Sequence, residues 1–248
     1  MEPRDLSMHS IYRAGRGIEE VARDLGLDPD DLIKLSSNEN SLGPSPKAVE
    51  AVRDAAADVN RYPKSSHTDL IANLAEKWDV ADKQIWLANG GDGALDYLSR
   101  AMLEPGQTVL VPDPDFTYHG MSAKYHHGTV ETFELSKSED FHQSPERVLS
   151  SYDGERMIYL TSPHNPTGSE GTIEEVRRIA DGTNDETLIV VDEAYEVFSE
   201  LESKVELVRE RDDVAVLRSF SKEYGLAGLR LGYAVTPVEW GEAYARVN

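Results

Sequence analysis

Apolar residues recur along this chain at two different spacings. Across 17–25, 46–58 and 68–78 they fall three and four apart, which lines them up on one face of a helix, and loops rich in Ser, Pro and Asn separate these segments. From Gln84 onward the pattern changes to short apolar runs: Ile85 to Ala88, Val109 to Val111, Val130 to Leu135, Met157 to Leu160, Leu188 to Val191, Val214 to Leu217 and Leu231 to Val235. Helical stretches alternate with these runs. Strand–helix alternation predicts an α/β fold, a mostly parallel seven-stranded sheet flanked by helices. Two helix starts are marked. Thr172-Ile-Glu-Glu175 has the form of a capping box, and Gly90-Gly91-Asp92-Gly93 precedes a helical run from Ala94 to Leu103. There is no internal repeat and no low-complexity tract.

Composition narrows the picture. A length of 248 residues suits one large domain, or one domain with part of a second. The 46 acidic residues against 25 basic ones give a net charge of -21, which repels nucleic acid and anionic membranes. Self-repulsion on that scale is relieved by high salt, so a salt-adapted, cytoplasmic protein is expected. With no cysteine, disulfides and thiolate metal sites are impossible. No apolar window is long enough for a membrane span, and Met1-Glu2-Pro3-Arg4-Asp5 lacks the apolar core of a signal peptide, so a soluble, unexported protein is the expectation.

Candidate chemistry clusters where apolar runs end. Leu188-Ile-Val-Val runs into Asp192-Glu-Ala-Tyr195, and in open α/β sheets ligands lie beyond such carboxyl ends. Asp192 there suits a metal, a histidine, a cationic ring or simply a loop cap. Thr161-Ser-Pro-His-Asn165-Pro-Thr-Gly168 follows another run, so Asn165 and Tyr195 at neighbouring strand ends are placed to bond one ligand oxygen. Leu217-Arg-Ser219-Phe-Ser221-Lys222-Glu-Tyr-Gly-Leu-Ala-Gly-Leu-Arg230 follows a third. Lys222 alone is an anion ligand, a surface charge or a nucleophile toward a carbonyl; Ser219 and Arg230 beside it favour a phosphorylated carbonyl compound. The Gly90–Gly93 turn offers free backbone N–H groups to a phosphate, and it matches neither a dinucleotide fingerprint nor a Walker A loop.

Together these pieces supply an amine for an aldehyde, an acid for a pyridinium nitrogen, donors for a ring oxygen and a cradle for a phosphate. That set fits pyridoxal 5'-phosphate. In this reading Asp192 keeps the ring nitrogen protonated and Lys222 is the base that moves the substrate's α-proton.

The same residues resemble a known family, the fold-type I (class I and II) pyridoxal-phosphate-dependent aminotransferases, and within it the histidinol-phosphate aminotransferases. The resemblance runs almost end to end. It rests on Leu35-Ser-Ser-Asn38-Glu-Asn40-Ser-Leu-Gly-Pro-Ser-Pro46, Asn60-Arg-Tyr62-Pro63, the Gly90 turn, Ser162-Pro-His-Asn-Pro-Thr-Gly168, Val191-Asp-Glu-Ala-Tyr195 and Ser219–Arg230. It implies that Gly91, Asp92 and Gly93 hold the cofactor phosphate through backbone amides, with Ser219, Ser221 and Arg230. It further implies that Phe116 stacks on the pyridine ring and that Tyr62 reaches the phosphate in the partner subunit of a homodimer. Tyr12 and Asn40, on an N-terminal arm, line the substrate pocket. The implied organisation is an arm with part of a small domain over 1–45 and the cofactor-binding large domain over 46–248. Little of the small domain is present, and the arginines expected to grip a substrate phosphate belong to it. Ser41 and His164 depart from the usual proline and the usual Asn or Gly at their positions.

The activity implied is amino transfer between L-histidinol phosphate and 2-oxoglutarate in histidine biosynthesis. Competing readings are a threonine-phosphate decarboxylase, another amino-acid aminotransferase, and a non-catalytic cofactor-binding fragment. No metal is expected: His119, His126 and His127 fall in or after a helical run with no acidic or histidine partner at i+4 spacing. Trp78, Trp86 and Trp240 read as core or interface residues, and the runs at Glu200 and Arg209 as solvated charge.

Overall fold

The computed structural model describes Leu6, Ser7, His9, Ile11 and residues 15–63 and 67–248. Three helices lead, α1 (Ile18–Leu25), α2 (Pro46–Ala55) and α3 (Thr68–Trp78). Strands and helices then alternate: β1 (Ile85–Ala88), α4 (Gly90–Met102), β2 (Thr108–Asp113), α5 (Tyr118–Tyr125), β3 (Thr129–Glu134), α6 (Pro145–Ser151), β4 (Met157–Thr161), α7 (Ile173–Asp181), β5 (Leu188–Asp192), α8 (Val205–Glu210), β6 (Val214–Ser219), β7 (Gly232–Val235) and α9 (Gly241–Val247). All seven expected strands form. Ser45, Ser144 and Thr172 cap α2, α6 and α7 by accepting a backbone N–H, and Glu175 completes the capping box at Thr172.

The strands form one sheet in the order β1-β7-β6-β5-β4-β2-β3. Neighbours from β6 to β3 run parallel, while β7 is antiparallel to both β6 and β1. The sheet is therefore mixed at one edge. Its residues alternate between two cores, as a period of two requires. Leu188 and Val190 of β5 join Trp86, Val109, Tyr159, Ala215 and Leu217 against α4 and α5, whereas Ile189 and Val191 join Leu110, Ile158, Val216 and Tyr233 against α3, α7 and α8. Helices thus cover both faces, which explains why the central strands read as unbroken apolar runs.

The alternation has a consequence at the end of β5. Asp192 continues the α4/α5 face and Glu193 the opposite face. Thr161 of β4, Asp192 of β5 and Leu217 of β6 lie side by side in register, so the three strands stop level with one another.

Candidate active site

A cleft of about 610 Å³ opens beyond these level strand ends. The structure brings Gly91, Asp92, Phe116, Asn165, Asp192, Tyr195, Ser219, Ser221, Lys222 and Arg230 to its walls. Loops after four parallel strands, β2, β4, β5 and β6, and the first turn of α4 therefore meet where an α/β sheet holds its ligands. Gly93 lies in the same first turn, packed against Ala88 and Asn89.

Lys222 reaches across the cleft mouth. Its Nζ donates to the carbonyl oxygens of Ser37, at 2.8 Å, and Asn38, at 3.2 Å, and lies 5.6 Å from the centre of the Tyr195 ring. Burial pushes the ammonium below the ordinary lysine range, with Arg230 acting the same way against the pull of Glu39, Asp92 and Asp192. A lysine so placed is more readily neutral, hence nucleophilic, than a surface lysine. The Tyr195 hydroxyl accepts from Asn38 Nδ2 at 3.0 Å, and Asn165 faces the same space.

Asp192 is held from behind. Its Oδ1 accepts the Ala194 N–H at 2.8 Å, and its Oδ2 lies 3.2 Å from His119 Nε2. On its other side the fully buried His119 ring meets Asp115, with Nδ1 2.9 and 2.8 Å from the two carboxylate oxygens. Burial disfavours the imidazolium, but the two flanking carboxylates outweigh it and raise His119 to about 10. The ring stacks on Tyr159 at 5.0 Å and meets Phe116 edge-on at 5.5 Å. An imidazolium thus sits directly behind the Asp192 carboxylate and fixes its orientation.

His119 is the residue that sequence reasoning missed. The expectation that this histidine lacks an acidic partner at helical spacing is corrected by Asp115, four residues earlier and one turn away. That spacing was the available signal; Asp192, on another element, was not visible from it. Among the described residues no group of three or more His, Asp or Glu side chains is arranged to hold a metal.

The start of α4 forms the opposite wall. The helix begins at Gly90 itself, so the glycines are its first turn rather than a loop before it. Asn89 provides no side-chain cap, leaving the first N–H groups to face the cleft as an anion site. Gly90 has φ +80°, and a Cβ there would come within 2.5 Å of the Arg230 guanidinium. Only glycine lets Arg230 lie against this turn, where its Nη2 donates to Asp92 Oδ2 at 3.3 Å. Burial raises the Asp92 carboxyl above its ordinary range, opposed by Arg230. Ser219 Oγ accepts the Ser221 N–H at 3.0 Å and shapes the loop between them.

Of the remaining expected residues, Asn40 and Tyr62 fall elsewhere. Asn40 turns its amide onto the backbone, donating to the carbonyls of Lys222 at 3.0 Å and Glu223 at 3.2 Å, so it ties the arm to the lysine loop. That approach is close: at Gly225, φ +64°, a Cβ would meet the Gly43 backbone at 2.7 Å. Tyr62 is wholly exposed and lies outside the cleft walls. Tyr12 lies outside the described residues. Trp86 is a core residue stacked on Tyr244 at 4.9 Å.

These residues fit pyridoxal phosphate. There is a poised amine, a carboxylate backed by a cation, an aromatic wall, and a phosphate-sized anion site whose glycines leave space: a Cβ at Gly91 or Gly228 would touch nothing within 4 Å.

Comparison with known proteins agrees. Residues 30–248 match the model of the family "Aminotransferase class I and II". The whole chain aligns with the histidinol-phosphate aminotransferases of Haloarcula marismortui, at 64% identity, and Natronomonas pharaonis, at 65%, spanning 69% and 70% of their lengths. It also aligns throughout with that of Halorubrum lacusprofundi, at 66% identity over 68% of that protein. These haloarchaeal sources accord with the acidic composition. The fold superposes on crystalline histidinol-phosphate aminotransferase from Sinorhizobium meliloti in complex with pyridoxal-5'-phosphate. The TM-score is 0.84 at 28% identity, covering 94% of this chain and 64% of that one. Aspartate aminotransferase from Thermus thermophilus with maleate gives 0.81 at 27% identity, over 93% and 62% of the two chains. The chain belongs to the class I and II aminotransferases and, within them, to the histidinol-phosphate aminotransferase family.

Proposed function

We propose that this chain binds pyridoxal 5'-phosphate and carries the cofactor-side chemistry of amino transfer between L-histidinol phosphate and 2-oxoglutarate. The observation that carries this is the convergence of Lys222, the His119-backed Asp192 and the α4 N-terminus on one cleft.

When bound, the cofactor supplies an electron sink for the bond broken at the substrate α-carbon. The chain's residues then divide the remaining work. Gly91, Asp92 and Gly93 would hold the phosphate through backbone amides, with Ser219, Ser221 and Arg230. Asn165 and Tyr195 would bond the ring oxygen, and Phe116 would cover the ring face. Asp192, oriented by the imidazolium behind it, would hold a proton on the ring nitrogen. Lys222 Nζ, more readily neutral through burial, would anchor the cofactor's aldehyde and would serve as the base for the substrate's α-proton.

A homodimer with a shared site belongs to the same reading. Val59 and Tyr62, early in the large domain, are exposed, and Ile33, Leu35 and Leu42 present apolar side chains to solvent on the N-terminal portion. Such a portion suits an arm, 1–45, laid against a partner and against the large domain, 46–248. The proposed compartment is the cytoplasm; among the described residues no helix is long and apolar enough to cross a membrane.

The test is a pair of half-reactions followed by absorbance of the bound cofactor. L-histidinol phosphate and glutamate should each convert it to the aminated form, and 2-oxoglutarate should reverse the change. Release of carbon dioxide from threonine phosphate instead would replace the substrate assignment, and cofactor uptake without any half-reaction would leave a binding fragment.

A further inference from the structure

One buried cluster of charge takes no part in the chemistry described so far. It lies on the opposite face of the sheet from Asp192. Ser162, Glu193 and Arg218 are the residues that follow the level row Thr161, Asp192 and Leu217, and the ladder continues into them. The Ser162 N–H bonds the Asp192 carbonyl at 3.0 Å, and the Glu193 N–H bonds the Leu217 carbonyl at 2.9 Å. Their side chains form a second row beneath the cleft. Glu193 is 1% exposed, Lys204 1% and Arg218 5%.

Glu193 is the hub. Its Oε2 accepts from Arg218 Nη1 at 2.8 Å and from Ser203 Oγ at 2.6 Å, and its Oε1 accepts the Lys204 N–H at 2.7 Å. Lys204 Nζ lies 3.9 Å from the same carboxylate and donates to Ser162 Oγ at 3.1 Å. Arg218 Nη2 donates to Glu196 Oε2 at 2.8 Å, and its guanidinium covers the Trp78 ring at 4.5 Å. Two cations and two carboxylates balance. Removal from water costs the three buried ones, Glu193, Lys204 and Arg218, several kcal/mol each, and apolar packing in place of such groups often stabilises a fold as well. What the charges add is geometry: each bond has one satisfactory arrangement, and a slipped one leaves a buried charge unpaired.

The positions they fix are those next to the cofactor contacts. Glu193 adjoins Asp192, Glu196 adjoins Tyr195, Arg218 adjoins Ser219, and Ser162 begins the turn that carries Asn165. We infer that Glu193, Lys204 and Arg218 form a positioning clamp that sets the spacing of Asn165, Asp192, Tyr195 and Ser219 around the cofactor. Lys204 is the link to the Asn165 turn, through Ser162. Burial also pushes the Lys204 ammonium below the ordinary lysine range, against the pull of Glu193, so the link is made by a cation held in an unfavourable place.

The inference rests on the cofactor reading, and its test separates the two. The wild-type chain, Lys204→Met, Ser162→Ala and the double variant are compared for pyridoxal phosphate affinity by equilibrium dialysis, with far-UV circular dichroism as the check on folding. Misplacing contact groups by a fraction of an ångström should weaken binding about tenfold in Lys204→Met and about threefold in Ser162→Ala. The double variant should lose less than the sum of the two single losses, because both changes cut the Lys204–Ser162 link, while Ser162→Ala also frees the Gly171 N–H that bonds the same hydroxyl at 3.0 Å. Wild-type affinity in the folded single variants, or fully additive losses in the double, overturns the clamp. Should Lys204→Met fail to fold, Lys204→Gln takes its place: wild-type affinity in folded Lys204→Gln overturns the clamp, and a loss that is less than additive with Ser162→Ala upholds it. A folded wild-type chain that takes up no cofactor overturns the site reading, and the clamp with it.

Discussion

The cleft has two unlike sides. The strand-end wall is anchored in the sheet: Asp192 is wedged by a buried imidazolium, and the residue after it is locked into four balanced charges. The N-terminal side, Ser37 to Asn40, has no such support. It is largely exposed, Ser37 and Asn38 take positive φ, and Ile33, Leu35 and Leu42 around it are 87, 86 and 92% exposed. Among the described residues it touches the wall through polar links from Asn38 to Tyr195, from Asn40 to the Lys222 loop, and from Lys222 Nζ to the Ser37 and Asn38 carbonyls. The groups proposed for the cofactor-side chemistry thus sit on sheet-anchored loops, while the surroundings of the Lys222 amine depend on a largely exposed arm. Groups on the wall should tolerate no change, and groups on the arm should be tunable.

That contrast can be broken in graded steps. Lys222→Ala should have the largest effect, removing at least about 10³-fold of the half-reaction rate, because both nucleophile and base are lost. Single-turnover absorbance measures it. Asp192→Asn should follow, at about 10²-fold, since an amide cannot hold the ring nitrogen's proton by charge. His119→Asn should cost about tenfold in rate by loosening Asp192, and it carries a pH signature. The folded-state value of His119 is raised from 6.5 to about 10, so its contribution to stability is complete below pH 6.5 and is lost as pH climbs toward 10. Urea midpoints of the wild type should fall across that window, and those of His119→Asn should lack this fall. Asn40→Ala should be mildest, costing about 1 kcal/mol of stability and a few-fold in rate by freeing the arm from the Lys222 loop. An Asn40→Ala effect as large as that of Asp192→Asn would erase the distinction between wall and arm.

How much of this was legible in the sequence follows the same division. The central strands are readable because burial on both faces leaves nothing but apolar residues, Asp192 because it closes such a run, and Asn165 and Lys222 because each follows one within a few residues. The reversed direction of β7 left no trace, since a short apolar strand looks alike in either direction. His119 looked like an idle helix residue because one of its two partners lies 73 positions away. Glu193 and Lys204 were hidden for the opposite reason: a charged residue at a strand end normally faces water, and only the packing of α8 under the sheet buries these two. Asn40 was placed in the pocket by resemblance, whereas its amide is spent on the backbone that carries the lysine.

The most direct test of the role given to Lys222 is chemical trapping. The folded chain is incubated with pyridoxal phosphate, reduced with borohydride, digested and mapped by mass spectrometry. A single pyridoxyl adduct on Lys222, absent from Lys222→Ala, is the predicted result. An unmodified Lys222, or labelling spread over exposed lysines such as Lys47 and Lys83, would contradict it.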